Sequence, residues 1–202
     1  SQVAINGEAA VYFSNKVKSI SGGDVQLRFH EPNALVPSLE VWDAVKNGSV
    51  DAGYTTPGYH AGKIPAVSYF TAVPFGPGAS EYHGWMEYGG GQQLKDRIYG
   101  EYGLKALNCL THAPETSGWF RKKINNVEEL KGMKMRFFGL GAMVMSKLGV
   151  STQLLAGGDI YPALEKGVID ATEFSMPTHD LSYGFYQLAK FDYFPGWHQQ
   201  TS

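Results

Sequence analysis

Apolar residues recur at helical spacing over residues 1–20, where Ala9, Val11, Phe13, Val17 and Ile20 fall on one stripe. Ser21, Gly22 and Gly23 follow it as a stop signal. The run VQLRF at 25–29 predicts a short strand, 39–47 a helix ended by Gly48, and VDAGY at 50–54 a second strand. Residues 80–103 predict a helical region interrupted at 89–91, and GLKALNCL at 103–110 predicts a buried strand. Asn126 stands where it would cap VEELKG, after which MKMRFF at 133–138 reads as a strand and 141–149 as a helix.

Two stretches of this pattern resemble each other. Shifted by 119 residues, 41–54 aligns with 160–174: Ala44 on Ala163, Gly48 on Gly167, Asp51 on Asp170, Ala52 on Ala171. Val41, Val45 and Val50 meet Ile160, Leu164 and Ile169. Each copy is an amphipathic helix ended by a glycine where the left-handed conformation costs nothing, and each runs straight into a short apolar strand opened by Asp. That is the helix-to-strand half of a βαβ crossover. Chance recurrence of such joints is the alternative to a duplication. A duplication predicts two similar α/β lobes: lobe I over 1–110, lobe II over 111–170, and a return crossing into lobe I over 171–202. Two lobes joined by crossing strands make a hinge with a cleft.

Composition narrows the function classes. The chain has 202 residues, 43% of them hydrophobic and 18% charged, which suits a packed core and argues against global disorder. Its 17 Lys and Arg against 19 Asp and Glu give a net charge of -2, too little positive charge to neutralise a run of phosphates, so nucleic acid is excluded as the expected partner. No stretch has the length and apolarity of a membrane span. A single cysteine, Cys109, rules out an internal disulfide and a cysteine-built zinc site. The 25 glycines and the 13% aromatic content predict short elements, tight turns and a ring-lined cleft. No basic and apolar leader precedes the first helix, and the last residues stop in a strand-like aromatic stretch, which reads as a fragment.

The run GMKMRFFGLGAMVMSKLG, the later STQLLAGGDIYPALEKGVIDATEFSMP, and the segments TTPGYHAGKIPAVSYFTAVPFGP, GWMEYGGG and FDYFPGWHQQ resemble the extracytoplasmic solute receptors of TRAP transporters. Within them the chain is most similar to receptors for 2-oxo and 2-hydroxy monocarboxylates such as pyruvate and lactate. The resemblance covers essentially the whole chain. It implies the periplasmic solute-binding protein fold, in the α/β class, with two lobes around a ligand cleft. It also implies a periplasmic location, delivery of a small carboxylate to TRAP membrane permease subunits, and a homodimer in the full-length protein. Relative to the family the chain lacks a signal peptide, the first strand and the C-terminal helical region.

Candidate ligand-binding residues divide by chemistry. Arg136 ends the strand MKMR before a glycine-containing turn, where a guanidinium can hold a carboxylate through two parallel charge-assisted hydrogen bonds. The residues alone leave open a surface or lobe-packing arginine; the resemblance assigns the K-[MI]-R arginine to the ligand carboxylate. On that reading Arg136→Ala abolishes binding and leaves the fold intact. Leu140 stands where the family often has Asn. Glu173 and Phe174 follow the second repeat strand, where a carboxylate and a neighbouring carbonyl suit a hard cation, calcium or sodium. A hinge salt bridge is the alternative for Glu173. The resemblance implies that an acidic residue here and the carbonyl after it hold a substrate-bridging metal, completed by a polar side chain of the first crossing, Glu115 or Thr116. With two glutamates, a ligand carboxylate and Arg136 the site sums to -2, which calcium neutralises; with Glu173 alone, sodium balances it.

Rings would wall such a pocket. Phe13, Tyr54, Tyr59, Phe138, Phe174 and Trp197 are the candidates, ordinary core the alternative, and the resemblance ranks Phe13 and Tyr59 first, with a Tyr59 hydroxyl donated to the ligand. Of the six histidines, His112 and His198 fall near the expected cleft, and none forms a close-spaced metal pair. Neither GPGAS at 76–80 nor GGDI at 157–160 is a phosphate loop. No nucleophile elbow or acid–base motif is present, and Cys109 reads as inert packing in its strand, so no catalytic residue is assigned. The expected class is a binding receptor rather than an enzyme. The alternatives are a ligand-sensing input domain of the same fold and a metal-dependent enzyme using Glu115 and Glu173.

Overall fold

Strand formation follows the alternation at 133–138. In the computed structural model, which describes residues 4–197, five short strands form one mixed sheet. They are β1 (Trp119–Phe120), β2 (Lys134–Arg136), β3 (Ser151–Gln153), β4 (Ala171–Thr172) and β5 (Phe191–Asp192), in the order β3-β2-β4-β1-β5. Strand β2 lies parallel between β3 and β4, with Met135 opposite both Thr152 and Ala171. Strand β1 is antiparallel to β4 and β5.

Successive side chains of a strand point to opposite faces, and the two faces of β2 carry different chemistry. Met133, Met135 and Phe137 enter a core with Phe120, Leu130, Met145 and Val150. Arg136 and Phe138 face the other way. The helix α5 (Gly139–Lys147) links β2 to β3 and supplies Met145 to that first core; α6 (Gly157–Glu165) links β3 to β4 and supplies Ile160 and Leu164 to a second core with Trp119, Ile169, Phe185 and Ala189. Both faces of the parallel part are therefore covered, as such a sheet requires.

The N-terminal part is helical. It contains α1 (Ala4–Ile20), α2 (Val41–Lys46), α3 (Ala79–Tyr88) and α4 (Gly91–Gly100), with tight turns at Pro57–His60 and Pro65–Phe70. Its cores are Trp42, Ile64, Val67 and Tyr99, and Phe70, Tyr82 and Met86. The expected break at 89–91 is the α3–α4 junction, where Gly90 has φ +87°. A seventh helix of the described residues, α7 (Pro177–Tyr183), packs against α1 and so ties the end of the chain to its start.

The internal repeat is visible atom by atom at its turn. Gly48 and Gly167 have φ +76° and +70°. Ser49 N and Val50 N donate to Ala44 O at 2.9 and 3.3 Å, and Val168 N and Ile169 N donate to Ala163 O at the same two distances. The copies part afterwards. In the second, Lys134 N donates to the Asp170 carboxylate at 2.9 Å and Asp170 N to Lys134 O at 2.7 Å, which starts the β2–β4 ladder. In the first, 50–54 has no ladder partner among the described residues. The same correction holds for 25–29 and 103–110: extended chain, but no strand. Strand formation needs a neighbouring backbone, and Val25, Leu27 and Leu107 are exposed. Cys109 is accordingly exposed rather than packed in a strand, and desolvation raises its thiol pKa, so it is not an activated nucleophile.

Candidate functional site

The even-numbered face of β2 creates a buried arginine. Arg136 is 1% exposed, yet its charge is matched: Nη1 donates to the Glu173 carboxylate at 2.8 Å and to the Glu173 carbonyl at 2.7 Å. Nε donates to the Leu155 carbonyl at 3.2 Å. A guanidinium has five N–H bonds. Three are spent on protein oxygens, and the Tyr59 hydroxyl bears on the same guanidinium. Two rings pack on it, with the guanidinium carbon 5.3 Å from the Phe138 centroid and 5.1 Å from that of Phe174, a double cation–π arrangement.

Tyr59 reaches this group from the Pro57–His60 turn. Its ring meets Phe138 edge to face at 5.9 Å. Burial raises its hydroxyl pKa; Arg136 opposes that shift, while Glu173 and Glu115 add to it. Both glutamates therefore share the neighbourhood of the tyrosine and the arginine. Glu173 is fully buried and Glu115 is 2% exposed. Backbone bonds hold their segments together: Thr116 N donates to Ser175 O at 3.2 Å, and Gly196 N to Glu115 O at 3.0 Å.

Phe13 and Trp197 are placed differently from the expectation. Phe13 is 37% exposed and lines a cavity of about 460 Å³ with Tyr12, Glu87, Gln92 and Cys109; no ring contact or hydrogen bond links it to Arg136. Trp197 stacks on Phe137 at 5.6 Å, on the opposite face of the β2 strand from Arg136. Parity along the strand decides this, because residues 136 and 137 point apart. Tyr54 is 39% exposed, Thr56 faces Thr71 through their hydroxyls at 3.3 Å, and His198 lies outside the described residues.

Beside the pair lies a polar chain with no motif to announce it. Burial lowers the His112 pKa to about 4 and lowers that of His179, so both rings are neutral. His112 Nε2 donates to Asn6 Oδ1 at 2.8 Å, so its Nδ1 accepts from the Ser175 hydroxyl at 3.2 Å. Ser175 Oγ in turn accepts from His179 Nδ1 at 3.2 Å. One residue on, Asp180 accepts from Trp119 Nε1 at 2.9 Å, and burial pushes its pKa up to about 8. The Leu155 carbonyl was also illegible, since a backbone acceptor has no residue signature.

Cation chemistry can be tested on the donor set. Among the described residues no cluster of three or more His, Cys, Asp or Glu side chains could hold a metal by itself. Two buried carboxyl groups, those of Glu115 and Glu173, nevertheless stand near one buried guanidinium. Carboxylate oxygens and the carbonyl after Glu173 are hard donors of the kind calcium and sodium take. The residues fit a cation that completes its shell with ligand oxygens.

Comparison with known proteins agrees with this chemistry. The model of a family described as bacterial extracellular solute-binding protein, family 7 (DctP), matches residues 1–202. A monocarboxylate 2-oxoacid-binding periplasmic protein of Nostoc sp. is 40% identical over 184 residues, covering 91% of this chain and 50% of that protein. Two crystal structures of TRAP periplasmic solute binding proteins superpose closely. One, from Colwellia psychrerythraea with bound calcium and pyruvate, has a TM-score of 0.94 at 38% identity over 98% of this chain and 61% of that one. The other, from Pseudoalteromonas atlantica with bound sodium and pyruvate, has a TM-score of 0.93 at 36% identity with the same coverage. The chain thus spans about half the length of the curated relatives it matches.

Proposed function

Since the chain belongs to family 7 of the bacterial extracellular solute-binding proteins, we propose that it captures a small 2-oxo or 2-hydroxy monocarboxylate, of the pyruvate and lactate kind, in the periplasm and hands it to TRAP permease subunits in the membrane. The observation that carries this reading is Arg136, a fully buried guanidinium packed on two rings and facing the Tyr59 hydroxyl. The relative from Nostoc, named for 2-oxoacids, and the pyruvate-bound structures support the ligand class.

The donor count shapes the grip. Nε and Nη1 serve Leu155 and Glu173, so a ligand carboxylate is shared among the guanidinium, the Tyr59 hydroxyl and the cation. The forked, two-nitrogen clamp expected from sequence gives way to a grip shared among several groups. Glu173, Glu115 and the Phe174 carbonyl would hold calcium or sodium, which supplies positive charge to the ligand oxygens when bound. Phe138 and Phe174 exclude water and strengthen each polar contact.

The test is calorimetric titration of pyruvate and lactate into the purified protein and into Arg136→Lys. Lysine keeps a positive partner for Glu173 but lacks the planar group on which the rings pack. Saturable binding by the parent protein and a loss of at least about a hundredfold in the variant are expected. Equal affinities, or no saturable binding by the parent, would remove the reading.

A further inference from the structure

The two rings that pack on Arg136 each rest on a glycine. A Cβ on Gly58 would lie 2.3 Å from Phe138 Cε2, 2.8 Å from Cδ2 and 3.1 Å from Thr71 Oγ1. A Cβ on Gly157 would lie 2.6 Å from Phe174 Cζ and 3.0 Å from Cε2. Neither glycine has a positive φ, so the backbone at both positions admits alanine and the main obstacle is the ring, with Thr71 Oγ1 beside Gly58 and Tyr183 Oη beside Gly157 each at 3.1 Å. Gly58 comes from the turn that carries Tyr59, and Gly157 opens α6. Two residues far apart in sequence thus each back a ring that packs on one guanidinium.

We infer that Gly58 and Gly157 are positioning residues of the binding site, fixing the plane of the Arg136 guanidinium through the rings of Phe138 and Phe174. Each ring touches both a glycine and the guanidinium, so a methyl group on the glycine must shift the ring relative to the cation. The guanidinium then turns away from the ligand. At Gly58 the same methyl also lifts the Tyr59 turn off Phe138, which separates the hydroxyl from the guanidinium.

The inference rests on the carboxylate reading, and a crossed set of variants keeps the two separable. Pyruvate affinity is measured by calorimetry for Gly58→Ala and Gly157→Ala, alone and combined with Phe138→Leu or Phe174→Leu. Each alanine is expected to weaken binding at least about tenfold in the parent. Gly58→Ala should cost less than about twofold once Phe138 is Leu, and its full amount when Phe174 is Leu; Gly157→Ala should do the reverse. Gly141→Ala is the control. Its Cβ meets Phe137 Cε1 at 2.4 Å on the other face of the sheet, so it should lower stability and leave affinity unchanged. Effects that add in all four combinations, or parental affinity in both alanine variants, overturn the inference. If the parent binds no 2-oxo acid, the function reading fails by itself. The Arg136 Nε–H resonance, shifted by both rings, then reads the same coupling without ligand. A resonance that neither alanine moves overturns the inference there too.

Discussion

Arg136 and Glu173 are joined three times. The guanidinium meets the carboxylate at 2.8 Å and the carbonyl at 2.7 Å, and Glu173 N donates back to Arg136 O at 2.9 Å. The last bond belongs to the β2–β4 pairing, so the sheet register fixes the ion pair, 37 residues apart in sequence. A pair built into the register has its two charges placed before any ligand arrives.

From this follows a stability prediction that revises the simplest reading of the sequence. Arg136→Ala cannot leave the fold untouched, because it removes the cation that faces a fully buried carboxylate. Removing one partner of a buried pair costs about 3–5 kcal/mol, whereas replacing both by apolar residues of similar size costs much less. Urea denaturation should therefore give large losses for Arg136→Ala and Glu173→Ala, and a smaller one for Arg136→Met combined with Glu173→Leu. Losses that simply add would mean that the two charges do not depend on each other.

The pH dependence of stability has two opposing parts. His60 and His112 have pKa values lowered to about 4, and that of His179 is lowered too, in each case chiefly by burial. Below about pH 6.5 the unfolded chain takes up protons that these rings refuse, so stability falls as the solution is acidified, at up to about 1.4 kcal/mol per unit for each ring. Asp180 acts oppositely. Burial raises its pKa to about 8, so above the ordinary carboxylate range the folded chain keeps a proton that the unfolded one has lost, and stability declines as pH rises toward 8. Three rings outweigh one carboxyl on the acid side. Melting temperatures across pH 4–9 should peak at about 6.5. Asp180→Asn, which still accepts from Trp119, should flatten the alkaline limb and steepen the acid one.

What the sequence discloses and what it withholds both follow from geometry. Alternation over 133–138 already puts Arg136 and Phe138 on one face and Phe137 on the other, and the repeat locates Glu173 just past its strand. The rings of residues 138, 174 and 59 and the two charges do come together. Trp197 could not be placed, because nothing in its own segment says which face of a distant strand it meets. Phe13 sits on an amphipathic helix whose stripe says that it packs, not against what. The extended segments at 25–29, 50–54 and 103–110 show the same limit. Residues 103–110 alternate between exposed and half-buried along their length, as an extended chain should, but a ladder is a property of two segments and no single one encodes it.

On the proposed function, cation and anion should help each other bind. Glu115, Glu173 and a ligand carboxylate against Arg136 sum to -2, and a burial site tolerates that charge poorly. Pyruvate affinity measured in a sodium-free buffer should fall at least about tenfold on adding a calcium chelator and return with calcium. Recovery with sodium chloride instead would identify the monovalent ion, as in one of the similar structures. Glu115→Gln should reduce the dependence on divalent cation. Identical affinity in every buffer would remove the cation from the site.

The repeat makes its own prediction, independent of any ligand. Gly48 and Gly167 occupy left-handed conformations at the same step of the same turn, each followed by the same pair of bonds to an alanine carbonyl. An alanine there costs about 1–2 kcal/mol in backbone strain, since neither glycine has an atom close to its missing Cβ that would add a clash. Equal strain need not mean equal consequence. The turn at Gly167 delivers Asp170 to the β2 strand and with it the register that pairs Arg136 with Glu173, whereas the turn at Gly48 leads into chain without a ladder among the described residues. Both variants should therefore lose similar stability in denaturation. Hydrogen exchange should rise at Lys134 N and Glu173 N only in Gly167→Ala. If exchange at those amides responds equally to Gly48→Ala, the two halves of the chain unfold as one unit, and the turn at Gly167 has no special hold on the site.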